Sequence, residues 1–174
     1  VIAVAGTHGK TTTSSLVTWI LKYAKLNPSY LIGGQPINLN SPAKLTSSNF
    51  FIIEADEYDT SFFDKRSKFI HYAPSTLIIN NIEFDHADIF DDLKDIKKQF
   101  HHLIRTVPSN GLIVSNGADQ NVQDIMSMGS WSEVSTFLGE GQWQATALEA
   151  DCSVFRVFEG DDCVGEVSWG LLGK

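Results

Sequence analysis

A short apolar run, Val1-Ile-Ala-Val-Ala5, feeds directly into Gly6-Thr-His-Gly-Lys-Thr-Thr-Thr13, and an apolar segment, Leu16-Val-Thr-Trp-Ile-Leu21, follows. Few folds accommodate this order. The first run reads as a buried strand, the glycines as a tight turn and the last segment as a helix. A strand that enters a glycine-rich turn and leaves as a helix is the architecture of a phosphate-binding loop. Gly6 and Gly9 let the backbone approach a phosphate where a Cβ would clash. The helix N-terminus offers unpaired N–H groups and a partial positive charge. Lys10 supplies a full charge for the β- and γ-phosphates of ATP, and the Thr11 hydroxyl is placed to ligate Mg²⁺. The expected ATP-binding residues are therefore Gly6, Thr7, His8, Gly9, Lys10, Thr11 and Thr12. The run Thr11-Thr12-Thr13 is a poor helix former, so chemistry rather than propensity accounts for it. One position departs from the usual loop: Val4 stands where a glycine normally precedes the Gly-Lys pair by five residues.

The alternation of strands and helices continues. Phe50–Ile53, Leu77–Ile79 and Leu112–Val114 are apolar runs of strand length. The first helix is expected from Lys10 to about Lys25, ending before Asn27-Pro28. Asp91 or Asp92 can cap a second helix, in which Leu93, Ile96, Phe100, Leu103, Ile104 and Val107 form one buried stripe. Gly33-Gly34 reads as a flexible turn and Asn38–Ser48 as a loop. Continuous apolar strands separated by helices predict an α/β fold with a mainly parallel sheet covered on both faces. Beyond about Ser130 the texture changes. Val134–Leu138, Gln142–Leu148, Ser153–Phe158 and Val164–Trp169 alternate between turn signals, which predicts antiparallel hairpins near the C-terminus.

Parallel sheets bind ligands at the carboxyl ends of their strands. Three such ends carry chemistry here: Gly6–Thr11, Glu54-Ala-Asp-Glu57, and the stretch from Leu77–Ile79 to Asp85-His86. They predict a single ATP–metal site, with Glu54 as the metal-binding carboxylate beside Thr11. For Asp56, Glu57 and Asp59, a place around the metal and a solvated acidic turn both remain open. The role of His8 is open too, between solvent and substrate. His101 and His102 lie off the apolar stripe and read as surface residues, and Lys65-Arg66-Ser67-Lys68 as a solvated turn that can also meet an anionic substrate.

The formal net charge of -8 disfavours nucleic acid or an anionic membrane as partner. No apolar stretch is long enough to span a bilayer. Cys152 and Cys163 fall in a hairpin turning at Glu159–Asp162, where Cys163 comes near Phe158 and Cys152 near Trp169. A disulfide is thus not expected, and free thiols fit the cytoplasm. The chain opens without Met or a basic leader, close before the loop, which suggests an excised domain.

Gly6-Thr-His-Gly-Lys-Thr-Thr-Thr13 resembles the ATP loop of the Mur ligases, the bacterial enzymes that build the peptidoglycan peptide. Ile32-Gly33-Gly34, Phe51–Asp59 and Asn81-Ile-Glu-Phe-Asp-His-Ala-Asp88 match as well. The resemblance is strong from about Val1 to Pro108 and looser to Lys174. It implies the central ATP-binding domain, with a uridine-nucleotide domain upstream, the end of the central domain and a C-terminal domain absent. It implies Lys10, Glu54 and His86 as catalytic residues and Thr11, Glu54 and His86 as metal ligands, His86 holding a second Mg²⁺. Lys94, Lys97 and Lys98 stand where some members carry a carbamylated lysine, but the local pattern assigns no carbamate. The stretch 54–69, with Tyr58 where alanine-adding members have Ser, resembles the muropeptide ligases. Those join UDP-N-acetylmuramate to L-alanyl-γ-D-glutamyl-meso-diaminopimelate, the murein tripeptide, through an acyl phosphate during peptidoglycan recycling in the bacterial cytoplasm. The alternatives are an alanine-adding ligase of de novo synthesis, a folate polyglutamate ligase, and a non-catalytic nucleotide-binding module. The isolated chain is expected not to ligate.

Overall fold

A computed structural model of the chain describes residues 1–85 and 89–170. Ten strands form one sheet, in the order β10-β9-β8-β7-β6-β5-β1-β4-β2-β3. In chain order they are β1 (Ile2–Ala5), β2 (Ser29–Leu31), β3 (Ala43–Lys44), β4 (Phe51–Ala55), β5 (Thr76–Ile79), β6 (Leu112–Asn116), β7 (Glu133–Phe137), β8 (Trp143–Ala147), β9 (Val154–Glu159) and β10 (Asp162–Ser168). The helices are α1 (Lys10–Tyr23), α2 (Leu93–Ile104) and α3 (Gln120–Ser127), with a short 3-10 turn at Lys68–Tyr72.

β1 is central and parallel to both neighbours, β4 and β5. Ala3, Val4 and Ala5 are wholly buried, because a strand flanked and covered on every side has no face left for a polar residue. The pleat sends alternate residues to opposite faces. Ile53 joins the larger core with Phe69, Phe100, Leu103 and Ile113. Its neighbour Ile52 joins a smaller one with Tyr30, Ile32 and Leu39, against which Val17 and Leu21 of α1 pack. Helices therefore cover both faces, as the strand pattern predicts. The α2 stripe is buried as expected at Ile96, Phe100, Leu103 and Ile104. Each such side chain contributes about 1.5–3 kcal/mol. Asp92 caps this helix, accepting from the Asp95 N–H at 2.9 Å.

The C-terminal third differs from expectation in one strand. β8, β9 and β10 are antiparallel neighbours, but β7 runs parallel to β6. The reason is α3, a helix the polar sequence around Gln120 conceals. It makes β6–α3–β7 a crossover unit, and a crossover returns the next strand parallel. Asp119 caps α3, accepting from the N–H groups of Asn121 and Val122. The expected loop at 38–48 contains β3, an edge strand of two residues paired with β2. Cys163 lies opposite Phe158, and both cysteines are free thiols. Among the described residues no helix is long and apolar enough to cross a membrane.

Candidate functional site

The site is built by register. Ala5 lies opposite Ala55 on one side and Ile79 on the other. The chain therefore leaves the sheet side by side at Gly6, Asp56 and Asn80. This is the convergence of three strand ends that the sequence predicts. Gly6 and Gly9 take φ values of 140° and 78°, a region that favours glycine, and Gly9 opens α1 without a side-chain cap.

Lys10 is buried, and its Nζ donates to Gly6 O at 2.7 Å, Thr7 O at 3.2 Å and Glu57 Oε2 at 3.3 Å. Asp56 stands 3.8 Å away. Glu57, only 2% exposed, thus belongs with the site as a counter-ion of Lys10 rather than with a solvated turn. Thr11 Oγ1 donates to Glu54 Oε1 at 2.8 Å, and the Gly33 N–H donates to Glu54 Oε2 at 2.8 Å. Both oxygens of Glu54 are oriented by these bonds. Gly33-Gly34 is thereby a holder of the carboxylate, not merely a flexible turn: a Cβ on Gly34 would stand 2.9 Å from Thr11 Cγ2.

A cavity of about 440 Å³ opens over these groups, lined by residues 7–12 of the loop with Glu54, Asp56, Tyr58 and Asp85. Loop N–H groups, an ammonium and a hydroxyl–carboxylate pair on one concave wall fit a nucleotide triphosphate with Mg²⁺, a cation that takes few protein oxygens and keeps phosphate and water ligands. Among the described residues no three His, Cys, Asp or Glu side chains converge on a metal position. His86 lies outside the described residues; Asp85, which precedes it in the chain, lines the cavity.

The remaining candidates separate. His8 lines the cavity with an exposed side chain, 3.5 Å from the Glu83 carboxylate. Asp59 turns away to Lys65 at 2.7 Å, whereas Asp56 faces the cavity and pairs with Lys68 at 3.4 Å. Lys65 and Arg66 of the 65–68 run are exposed, as a solvated turn requires, while Ser67 is buried. Arg66 Nε and Nη2 donate to Asp64 at 2.8 and 2.7 Å and hold its carboxyl well below the usual carboxylate range. Burial pushes the Tyr72 phenol up, with Asp56 adding to the effect. His102 is partly buried rather than a plain surface residue, and burial lowers its pKa. His101 shares a hydrogen bond with Gly129 O at 3.1 Å. Lys97 links α2 to α3 through Asp124 at 2.6 Å.

Sequence reasoning left Gly33, Asn80 and Asn81 without a role in the site. The signal was there in the Asn-Asn pair: two amides able to donate and accept, placed where a strand ends beside the loop.

Residues 4–174 match the profile of the Mur ligase middle domain. The chain belongs to the Mur ligase family. It is 56% identical over 174 residues to the UDP-N-acetylmuramate–L-alanyl-γ-D-glutamyl-meso-2,6-diaminoheptandioate ligase of Escherichia coli K12, covering 100% of this chain and 38% of that protein. To a UDP-N-acetylmuramate–L-alanine ligase of Clostridium botulinum it is 35% identical over 176 residues, covering 99% of this chain and 37% of that ligase. Among solved structures, the UDP-N-acetylmuramate:L-alanyl-γ-D-glutamyl-meso-diaminopimelate ligase of Neisseria meningitides superposes with a TM-score of 0.92 at 53% identity, over 99% of this chain and 56% of that one. The Mur ligase chain described here thus spans well under two thirds of the length of these relatives.

Proposed function

We propose that the chain is the ATP-binding middle domain of a longer, three-domain ligase of the bacterial cytoplasm. That enzyme joins the carboxylate of UDP-N-acetylmuramate to the amine of L-alanyl-γ-D-glutamyl-meso-diaminopimelate in peptidoglycan recycling. The observation that carries the choice of substrate is the identity of 56% to the tripeptide-adding ligase against 35% to an alanine-adding one, both over essentially the whole chain.

The groups that line the cavity support this chemistry. A carboxylate is a poor electrophile, and transfer of the γ-phosphoryl group of ATP converts it to an acyl phosphate that the amine attacks, releasing phosphate. Lys10 and the N–H groups at the start of α1 bind the phosphates and offset the charge that spreads over the transferring group. Thr11 and Glu54 would hold Mg²⁺, with His86 toward a second ion. Bound metal supplies charge neutralisation between two anions that otherwise repel. Gly33 fixes the Glu54 carboxylate by its N–H. No protein nucleophile is required.

A ligation assay on the full-length enzyme tests this, with ATP, Mg²⁺ and UDP-N-acetylmuramate and either the tripeptide or L-alanine as amine. The tripeptide is expected to be preferred. Preference for L-alanine would overturn the substrate assignment, and product from the isolated chain would overturn its assignment as one domain of a longer catalyst.

A further inference from the structure

Asn81 lies outside the phosphate loop, yet its carboxamide brackets the backbone of one residue of it, His8. Its Oδ1 accepts the His8 N–H at 2.7 Å, and its Nδ2 donates to His8 O at 3.2 Å. Its own carbonyl accepts the Thr7 N–H at 3.0 Å. One residue earlier, Asn80 donates its N–H to Ala5 O at 3.0 Å and its Nδ2 to Thr13 Oγ1 at 3.0 Å. Two residues later, the Glu83 N–H donates to Thr7 Oγ1 at 2.9 Å. The segment 80–83 thus tracks the segment 5–8 beyond the last paired residues of β1 and β5, Ala5 and Ile79. The approach is close: a Cβ on Gly6 would stand 3.1 Å from Asn80 Cβ and 3.1 Å from Asn81 O.

Two consequences follow. The N–H groups of Thr7 and His8 point at protein, so phosphate recognition falls to those that start α1 from Gly9 onward. The orientation of those groups depends on the His8 backbone, whose N–H and C=O are both bonded to Asn81, with Asn80 Nδ2 3.5 Å from the same carbonyl. Ordering a loop in advance removes a cost that ligand binding would otherwise carry. The same residue opens the segment that reaches Asp85 on the cavity wall, so loop and wall are set by one anchor.

We propose that Asn81 is a positioning residue: it presets the phosphate loop for ATP and registers the segment entering Asp85 against it. This rests on the ATP-ligase reading above. The test is Asn81→Ala in the full-length ligase, read by the KM for ATP, the KM for the amine, kcat, and the melting temperature without nucleotide. We expect the KM for ATP to rise about tenfold or more, as loss of two hydrogen bonds and of loop order implies. The amine KM and the nucleotide-free melting temperature stay near wild type. An unchanged KM for ATP overturns the proposal, and so does a parallel change in both KM values and in melting, which would mark a general structural role. Should Asn81→Ala fail to fold, Asn81→Asp keeps the acceptor for the His8 N–H and removes the donor to His8 O; wild-type affinity for ATP in that variant overturns the proposal. A wild-type enzyme that binds no ATP refutes the ATP reading itself, a distinct outcome.

Discussion

The pairing of Lys10 with Glu57 makes a sharp energetic prediction. Glu57 is 2% exposed and Lys10 8%, and the ammonium and carboxylate are 3.3 Å apart. Removing one member of a buried pair costs about 3–5 kcal/mol, because the other charge stays out of water. For Glu57→Leu the lower end applies, since Lys10 keeps its bonds to Gly6 O and Thr7 O. A loss of about 3 kcal/mol in a domain of this size lowers the melting temperature by about 6–12 °C. Lys10→Met should cost at least as much, because it leaves the Glu57 carboxylate without the ammonium. The double variant should recover most of the loss, since an apolar pair of similar volume replaces a buried ion pair at little cost. Urea denaturation of the four proteins, with a common m-value, yields the coupling energy, expected at about 4–5 kcal/mol, the two single losses of about 3 kcal/mol less a double loss of about 1–2 kcal/mol. Single losses that simply add, within about 0.5 kcal/mol, would refute the reasoning and show that the two groups are stabilised independently.

Three further outcomes are expected. Gly34→Ala drives a Cβ to within 2.9 Å of Thr11 Cγ2; displacing the Thr11 hydroxyl from Glu54 should lower kcat of the full-length ligase about ten- to a hundredfold, and unchanged turnover would show that Thr11 has room to yield. Asp119→Ala removes the cap of α3 and the acceptor of the Ile82 N–H, 3.1 Å from Oδ2; a loss of about 1–2 kcal/mol should appear in urea denaturation. His102 has its pKa lowered from 6.5 by burial, then by Lys98, His101 and Arg105. The unfolded chain therefore binds that proton more readily than the folded one, so stability falls as pH drops below about 6.5 and levels off below the folded value. His102→Gln should flatten that part of the profile; an unaltered slope would show that another group sets it.

What the amino-acid order determined by itself is local. Val1–Thr13 specifies strand, turn and helix start because its apolar run, its glycines and its Lys-Thr pair act within a dozen residues. The stripe at Ile96, Phe100, Leu103 and Ile104 is legible because helical periodicity repeats along the chain. Glu54 at the end of an apolar strand points to the site because strand ends in a parallel sheet share one edge. The tertiary structure decided the pairings that span long stretches of sequence. Glu57 reads as one acid among several until its burial beside Lys10, 47 residues away, separates it from Asp59. Gly33 acts through a backbone N–H toward Glu54 that its letter does not mark, and Asn81 shows in the sequence as an amide at a strand end, but its grip on the His8 backbone shows only in the fold. The direction of β7 depended on α3, whose weakly apolar sequence folds because Val122 and Ile125 find a core to enter. Such contacts are set by register between strands that are distant along the chain, and register is a property of the assembled sheet rather than of any one segment.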